Sequence, residues 1–163
     1  MSKPVVFRIT NNLGLGGVQK RLRALLPLLA EDFEVHVLAY RHRGPLFDEL
    51  ASNGVHTHFL RRGGTWDPLF IKRLAALLRM HKADILHTHS FGANVPGILA
   101  GALAKTPVRI AQVHLCELHW PARGRWKKRK QALEESLIHR FFTQRVLFVS
   151  RQSMDHFKAH TGL

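Results

Sequence analysis

The 163 residues are 45% apolar and carry a net charge of +14, from 25 Lys and Arg against 11 Asp and Glu. That length suits one domain, able to bury about two thirds of its unfolded surface. The lone Cys116 excludes an internal disulfide, and no apolar run reaches the ~20 residues of a membrane span.

From Met1 the chain runs straight into a strand pattern over 4–10, without the apolar stretch and cleavage site of a signal peptide. A cytoplasmic location is expected. Phe7-Arg8-Ile9-Thr10-Asn11-Asn12 then enters Leu13-Gly14-Leu15-Gly16-Gly17-Val18-Gln19, a glycine turn opening a helix. Glycines let the backbone approach a ligand, and a helix N-terminus offers N–H groups and a positive dipole to an anion. The turn is not a dinucleotide fingerprint. Gln19 stands where the last glycine is required, and Tyr40-Arg41-His42-Arg43 where an acid would follow the second strand. The plain alternative is a turn that only joins strand to helix.

Val18, Leu22, Leu25, Leu26 and Leu29 mark the inward face of the first helix. Further strand patterns cover 34–40, 55–60, 84–88, 108–113 and 145–149. Leu69, Leu74, Leu77 and Leu78 mark another helix, and the almost wholly apolar 93–104 predicts one buried on most sides. Leu133, Leu137, Ile138, Phe141 and Phe142 form a stripe at helical spacing, expected to face the core because the sheet needs covering. The alternation predicts an α/β fold, a Rossmann-like parallel sheet with helices on both faces. Ligands bind such sheets outside the carboxyl ends of the strands.

Polar groups fall at those ends. In Asp84-Ile85-Leu86-His87-Thr88-His89-Ser90, the two histidines share one face of a strand. His87, His89 and Ser90 are expected to hydrogen-bond a ligand or the next helix. The pair lacks a third ligand at suitable spacing, so no metal site is expected. His114, after the strand 108–113, can donate to a hydroxyl or phosphate or act as a general base; loop carbonyls satisfying it are the alternative. Glu117 can orient that imidazole or contact a sugar hydroxyl. His114, Cys116, Glu117 and His119 lack the paired C-x-x-C of a zinc site. Ser150 reads as a helix N-cap, with no G-x-S-x-G around it, and Gly162 as a helix C-cap.

One composition shift stands out. Trp120, Arg123, Arg125, Trp126, Lys127, Lys128, Arg129 and Lys130 lie within 119–130, where no acid occurs. Pro121 and Gly124 predict a loop before a helix beginning near Trp126. Such a run suits anionic lipid headgroups or single-stranded nucleic acid, or is a solvated loop with anchoring tryptophans.

Taken in order, the motifs resemble the N-terminal half of a GT-B, family 4 retaining glycosyltransferase. Gly16-Gly17-Val18-Gln19 is similar to its glycine turn, and Asp84-Ile85-Leu86-His87-Thr88-His89 to its D-[IV]-[LIV]-H-x-H strand end. Val113-His114 is similar to its strand ending in a single histidine, and Val149-Ser150 to its strand-to-helix step. The resemblance implies that 1–163 is the acceptor-side domain of a two-domain enzyme of polysaccharide or lipopolysaccharide biosynthesis. That enzyme moves a sugar from a nucleotide-sugar donor to a glycan or lipid-linked acceptor, with no further cofactor. It places Gly16 and Gly17 near the donor, Gln19 facing the cleft, and His114 on the transferred sugar or acceptor as the catalytic-site residue. The family's nucleotide-sugar domain, with a basic pair and an E-x7-E motif, is not in this sequence, so the chain is expected to be a fragment inactive alone. Many members act at membranes, which implies a peripheral place on the inner face and a purpose for the basic surface; nucleic acid is not an expected partner. The competing reading is a basic binding module for anionic lipid or nucleic acid.

Overall fold

Short runs of Val, Ile, Leu and Phe bounded by turns make six strands, each followed by a helix. In order they are β1 (Val5–Asn12), α1 (Gly17–Leu29), β2 (Glu34–His42), α2 (Leu46–Ser52), β3 (His56–Phe59) and α3 (Pro68–Met80). Then come β4 (Ile85–His89), α4 (Phe91–Ala104), β5 (Val108–Val113), α5 (Arg125–Phe142), β6 (Arg145–Phe148) and α6 (Arg151–Thr161). The computed structural model describes residues 2–64, 66–114 and 124–163. All pairings are parallel, and the strand order is β3-β2-β1-β4-β5-β6. The order reverses between β1 and β4, so their carboxyl ends flank the crevice of a doubly wound sheet. The expected Rossmann-like α/β architecture is what the chain adopts.

Strand alternation divides the core. On one face Val35 and Val37 meet Leu22 and Leu26 of α1 and Leu46 and Leu50 of α2. On the other, Phe7, Ile9, Leu38 and Leu86 meet Phe70, Leu74 and Leu78 of α3 and Ala93 and Ala100 of α4. Each of these large side chains contributes about 1.5–3 kcal/mol by leaving water. Helix α4 lies close to the sheet because it presents glycines there. A Cβ at Gly97 would come within 2.6 Å of Thr88 Cγ2, and one at Gly101 within 2.5 Å of Leu86 Cδ2. Pro96 has no N–H for the Gly92 carbonyl one turn back, and Arg62 Nη1 donates to that oxygen instead.

The helix ends follow local chemistry. Asp67 Oδ1 accepts from the Phe70 N–H at 3.0 Å and Pro68 opens α3. Ser150 and Ser153 cap α6 reciprocally, and Gly162 closes it with φ +71°. Helix α5 starts at Arg125, which puts Arg125, Trp126, Lys127, Lys128, Arg129 and Lys130 on its first turns. Helix α2 had no clear sequence signal: its inward face is only Leu46 and Leu50, behind the turn-like Gly44-Pro45.

The stripe on α5 corrects an expectation. Ile138 is buried, but Leu133, Leu137, Phe141 and Phe142 are exposed, Phe141 by 66%. The inward face is instead Gln131, Glu135, Ile138 and His139. His139 faces Thr143 Oγ1 at 3.0 Å and packs on Phe157 of α6. Helical spacing shows that one face is apolar; it does not say which face turns inward. Leu69 of α3 is likewise exposed, and Phe70 takes the inward place.

Candidate functional site

The glycine turn is held from behind. Asn12 Oδ1 accepts from the Gly14 N–H at 2.9 Å, and Gln19 Nε2 donates back to Asn12 O at 3.1 Å. Leu46 N donates to Leu13 O at 3.0 Å from the β2–α2 junction. Gly44 allows that approach: its φ is +71°, and a Cβ there would lie 2.4 Å from the Leu13 carbonyl. Gln19 is buried and its amide braces the turn. A Cβ at Gly17 would meet nothing within 4 Å, so space lies open above the first turn of α1. The N-cap, Gly16, has no capping side chain, and no acid stands in the first turn.

The N-terminus of α4 stands across the switch point. Its N-cap, Ser90, has φ +69° and ψ 159°, a conformation that strains any residue with a Cβ. The Ser90 N–H donates to Gln112 O at 2.9 Å, and no side chain caps the helix. Asn94, buried in the first turn, accepts from Thr88 Oγ1 at 2.8 Å and donates to Gln112 O at 3.3 Å. Two helix N-termini without acidic residues therefore flank the ends of β1 and β4, each with orphan N–H groups and a positive dipole.

On the α1 face, strand register lines up the side chains. Arg8 of β1 lies opposite His87 of β4, and His89 opposite Gln112 of β5. His87 and His89 stack with ring centroids 4.7 Å apart, and His89 Nδ1 is 2.9 Å from His114 Nε2. An open cleft of about 480 Å³ lies between these strands and α1, lined by Arg8, Arg21, Leu25, Leu28, His87 and Gln112 among others. No lining residue is acidic. Among the described residues, Arg8 Nε, His87 Nε2 and His89 Nε2 are buried without hydrogen-bond partners. The unpaired Arg8 Nε–H, a cationic donor in low dielectric, favours an anionic acceptor, while each imidazole nitrogen donates or accepts according to its tautomer.

The electrostatics agree. Burial lowers the Arg8 guanidinium to about 10, helped by Arg21. Burial, then Arg8, holds His87 down to about 3, although Gln112 hydrogen-bonds it. Burial and the same arginines push His89 well below its usual value, and His114 is lowered by burial, Arg21 and Arg8. All three imidazoles are neutral at pH 7, so each can donate and accept.

The structure places Gly16 and Gly17 after β1, Ser90 after β4 and His114 after β5, all at carboxyl ends of the sheet, and gathers His87, His89 and His114 beside Arg8 and Gln112, while Gln19 is buried behind the glycine turn. Glu117, Trp120 and Arg123 lie outside the described residues. The basic residues of α5 belong to a different helix, beyond β5. Sequence reading missed Arg8, Arg21 and Gln112. Arg8 had a signal: a cation interrupting the apolar run Val5-Val6-Phe7-Arg8-Ile9 of a central strand needs a polar cleft to face.

A doubly wound parallel sheet with two helix N-termini at its switch point, and cations and neutral imidazoles in the cleft beside α1, defines the class as a Rossmann-like α/β domain. Residues 15–163 match the model of Glycosyltransferase Family 4, and the chain belongs to that family. It is 35% identical over 103 residues to the capsular polysaccharide biosynthesis glycosyltransferase CapH of Staphylococcus aureus, covering 55% of this chain and 28% of that protein. The fold also matches Anabaena Alr3699/HepE in crystal structures with UDP and with UDP-glucose. The TM-scores are 0.67 and 0.68 at 15% identity, over 97% and 96% of this chain and 40% of that chain. The chain thus spans well under half the length of these proteins. No helix among the described residues is long and apolar enough to cross a membrane.

Proposed function

We propose that this chain is the acceptor-side half of a glycosyltransferase that moves a sugar from a nucleotide-sugar donor to a glycan or lipid-linked acceptor. The observation that carries this is a pair of helix N-termini without acids or side-chain caps at the carboxyl ends of β1 and β4, on a sheet whose α1 side also holds Arg8 and Arg21 in an open cleft. That arrangement suits a phosphate group, and family membership and the UDP-bound neighbours support a nucleotide sugar as its source. Gly17 gives the donor its close approach. Neutral His114, held by His89, hydrogen-bonds the transferred sugar or the acceptor hydroxyl. Gln19 shapes the turn through Asn12. Most donor contacts belong to a second domain, so this chain binds donor weakly and does not turn over alone. The test is titration of UDP-glucose or pyrophosphate into the chain, followed through the ring signals of His87, His89 and His114 by NMR. Weak, saturable shifts lost in Gly17→Trp are expected; equal shifts in that variant overturn the reading.

The outward stripe of α5 favours a second element, an anionic membrane surface at the inner face. Leu133, Leu137 and Phe141 point to solvent along a helix that begins with Arg125, Trp126, Lys127, Lys128, Arg129 and Lys130. Basic residues beside an exposed apolar face suit a lipid interface, and Trp120 and Arg123 extend that chemistry. Flotation with phosphatidylglycerol vesicles should fall sharply for Leu137→Glu with Phe141→Glu. Binding that survives both changes rules the surface out.

A further inference from the structure

A second histidine cluster lies on the opposite face of the sheet, under α3. His36 of β2 stands directly opposite His56 of β3, and His58 opposite Leu38, so all three project to the face that carries Phe7 and Tyr40. His81 closes α3 and reaches the same place: its ring centroid is 4.4 Å from that of His36 and 5.5 Å from that of His58. Three imidazoles, of His36, His58 and His81, therefore meet around one Phe7 ring, which stacks on His36 at 4.4 Å, and His56 stacks on the far side of the group against His36 at 4.6 Å.

The donor atoms are arranged for more than stacking. His36 Nδ1 faces His58 Nε2 at 2.8 Å, and its other nitrogen, Nε2, faces Glu34 Oε1 at 2.9 Å. One ring nitrogen each of His36, His58 and His81 lies within 4.8 Å of the others. Three imidazoles on a tetrahedral zinc-like ion, at about 2.0–2.1 Å each, stand about 3.3 Å from one another. The His36–His58 pair must open slightly and His81 close in. Both partners of His36 are only half-buried, so their rings can rotate. The carboxylate on the far nitrogen of His36 is the outer contact that fixes the tautomer of a metal-bound histidine and leaves Nδ1 as the lone pair. Phe7 makes one wall of the site apolar.

We propose that His36, His58 and His81 form a binding site for a divalent first-row transition ion of the zinc type, with Glu34 as the carboxylate that orients His36. The donor set fits this class: imidazole suits Zn²⁺, Co²⁺, Ni²⁺ and Cu²⁺, whereas Mg²⁺ and Ca²⁺ require oxygen. Glu34, His36 and His56 form an overlapping set through the other nitrogen of His36. An ion there would displace the Glu34 contact and rest on the exposed His56, so the three-histidine set is the site. It lies across the sheet from the cleft. An ion there ties the four-residue edge strand β3 and the end of α3 to β2, a structural role.

The test uses the chain without a polyhistidine tag, stripped with chelator and titrated with CoCl₂ and ZnCl₂. One equivalent of Co²⁺ should give the intense visible bands of a four-coordinate ion, and Zn²⁺ should raise Tm. His58→Ala and His81→Ala should each weaken binding at least tenfold and abolish the Tm rise. His56→Ala should keep both. So should the paired change His156→Ala with His160→Ala, which removes a separate i, i+4 pair on α6. Far-UV circular dichroism confirms that each variant is folded; His81, half-buried at a helix end, decides the matter if His58→Ala is not. No stoichiometric binding by the unaltered chain, or binding that survives His81→Ala, overturns the proposal.

Discussion

The sheet carries two groups of histidines on opposite faces and on opposite sides of β1, and they differ in their neighbours. His87, His89 and His114 stand among Arg8 and Arg21, with no acid lining the cleft beside them. His36 and His58 stand against Phe7 and His81, with Glu34 on the outer nitrogen of His36. Burial keeps members of both groups neutral at pH 7: His87 is lowered to about 3 and His58 to about 4. The same side chain in the same protonation state therefore suits two opposite partners. Surrounding cations make one group a receiver of anions. A carboxylate and an aromatic wall make the other a receiver of a cation.

Acid should have the largest effect on that contrast. Unfolded, His87 takes up a proton below about 6.5; folded, burial and Arg8 keep it neutral down to about 3. Between those values the unfolded state binds more protons, so the stability from neutral His87 is complete above 6.5 and is lost as pH falls through the window. From pH 7 to pH 4 the loss amounts to roughly 3 kcal/mol for this residue. Urea unfolding at both pH values should show His87→Phe losing about that much less than the unaltered chain. Equal losses would mean that His87 is not held neutral by the cleft.

A crossed pair of substitutions sharpens the comparison next. Arg8→Met keeps the length of the buried stem and removes the charge. Pyrophosphate affinity should fall about tenfold or more, the range for a charged hydrogen bond. The same change should raise the proton affinity of His87, since Arg8 opposes its protonation. Co²⁺ binding should not change. His58→Ala should do the reverse, weakening Co²⁺ and leaving pyrophosphate within about twofold. Calorimetry on both variants with both ligands decides it. If one variant weakens both ligands, the two groups are coupled and the contrast fails.

How these groups were read in the sequence separates what periodicity carries from what it does not. The strands, the parallel order and the placing of His87, His89 and His114 at carboxyl ends follow from apolar runs and βα alternation, which are local properties. The glycine turn was legible because a strand, glycines and a helix lie consecutively. Arg8 carried a signal as a cation in an apolar run, but its meeting with Arg21 did not, since their convergence depends on α1 crossing back over β1. The cluster under α3 was harder still. His36, His58 and His81 come from three separate elements, and only the strand register places His58 two residues along from the partner of His36. His56 and His58 alternate on one strand as His87 and His89 do, and that shared pattern was the one available signal. The α5 stripe misled because the buried face carries the polar Gln131, Glu135 and His139, the last packed on Phe157 of α6, and helical spacing does not encode such a tertiary contact.

The smallest expected effect tests the carboxylate that sets one group apart. The Glu34 contact raises the proton affinity of His36, opposing burial and the neighbouring His81 and His56; burial still wins, and His36 stays below its ordinary value. Glu34→Gln keeps the size of the side chain and removes the charge. His36 should then titrate at lower pH than before, read from its ring signals by NMR. It is neutral at pH 7 in either case and the Glu34 side chain is partly exposed to screening solvent, so stability at pH 7 should change by less than about 1 kcal/mol. Gln112→Leu is the matching change in the cleft, because Gln112 likewise raises His87 against burial and Arg8. It too should lower the pH at which its histidine titrates. The two variants part in ligand binding: Glu34→Gln should weaken Co²⁺ by about 10-fold or more through the lost orientation of His36, and Gln112→Leu should leave Co²⁺ unchanged. A His36 that titrates higher without Glu34 would show that the carboxylate does not hold its outer nitrogen, and the assignment of Nδ1 as the metal-facing atom would fall with it.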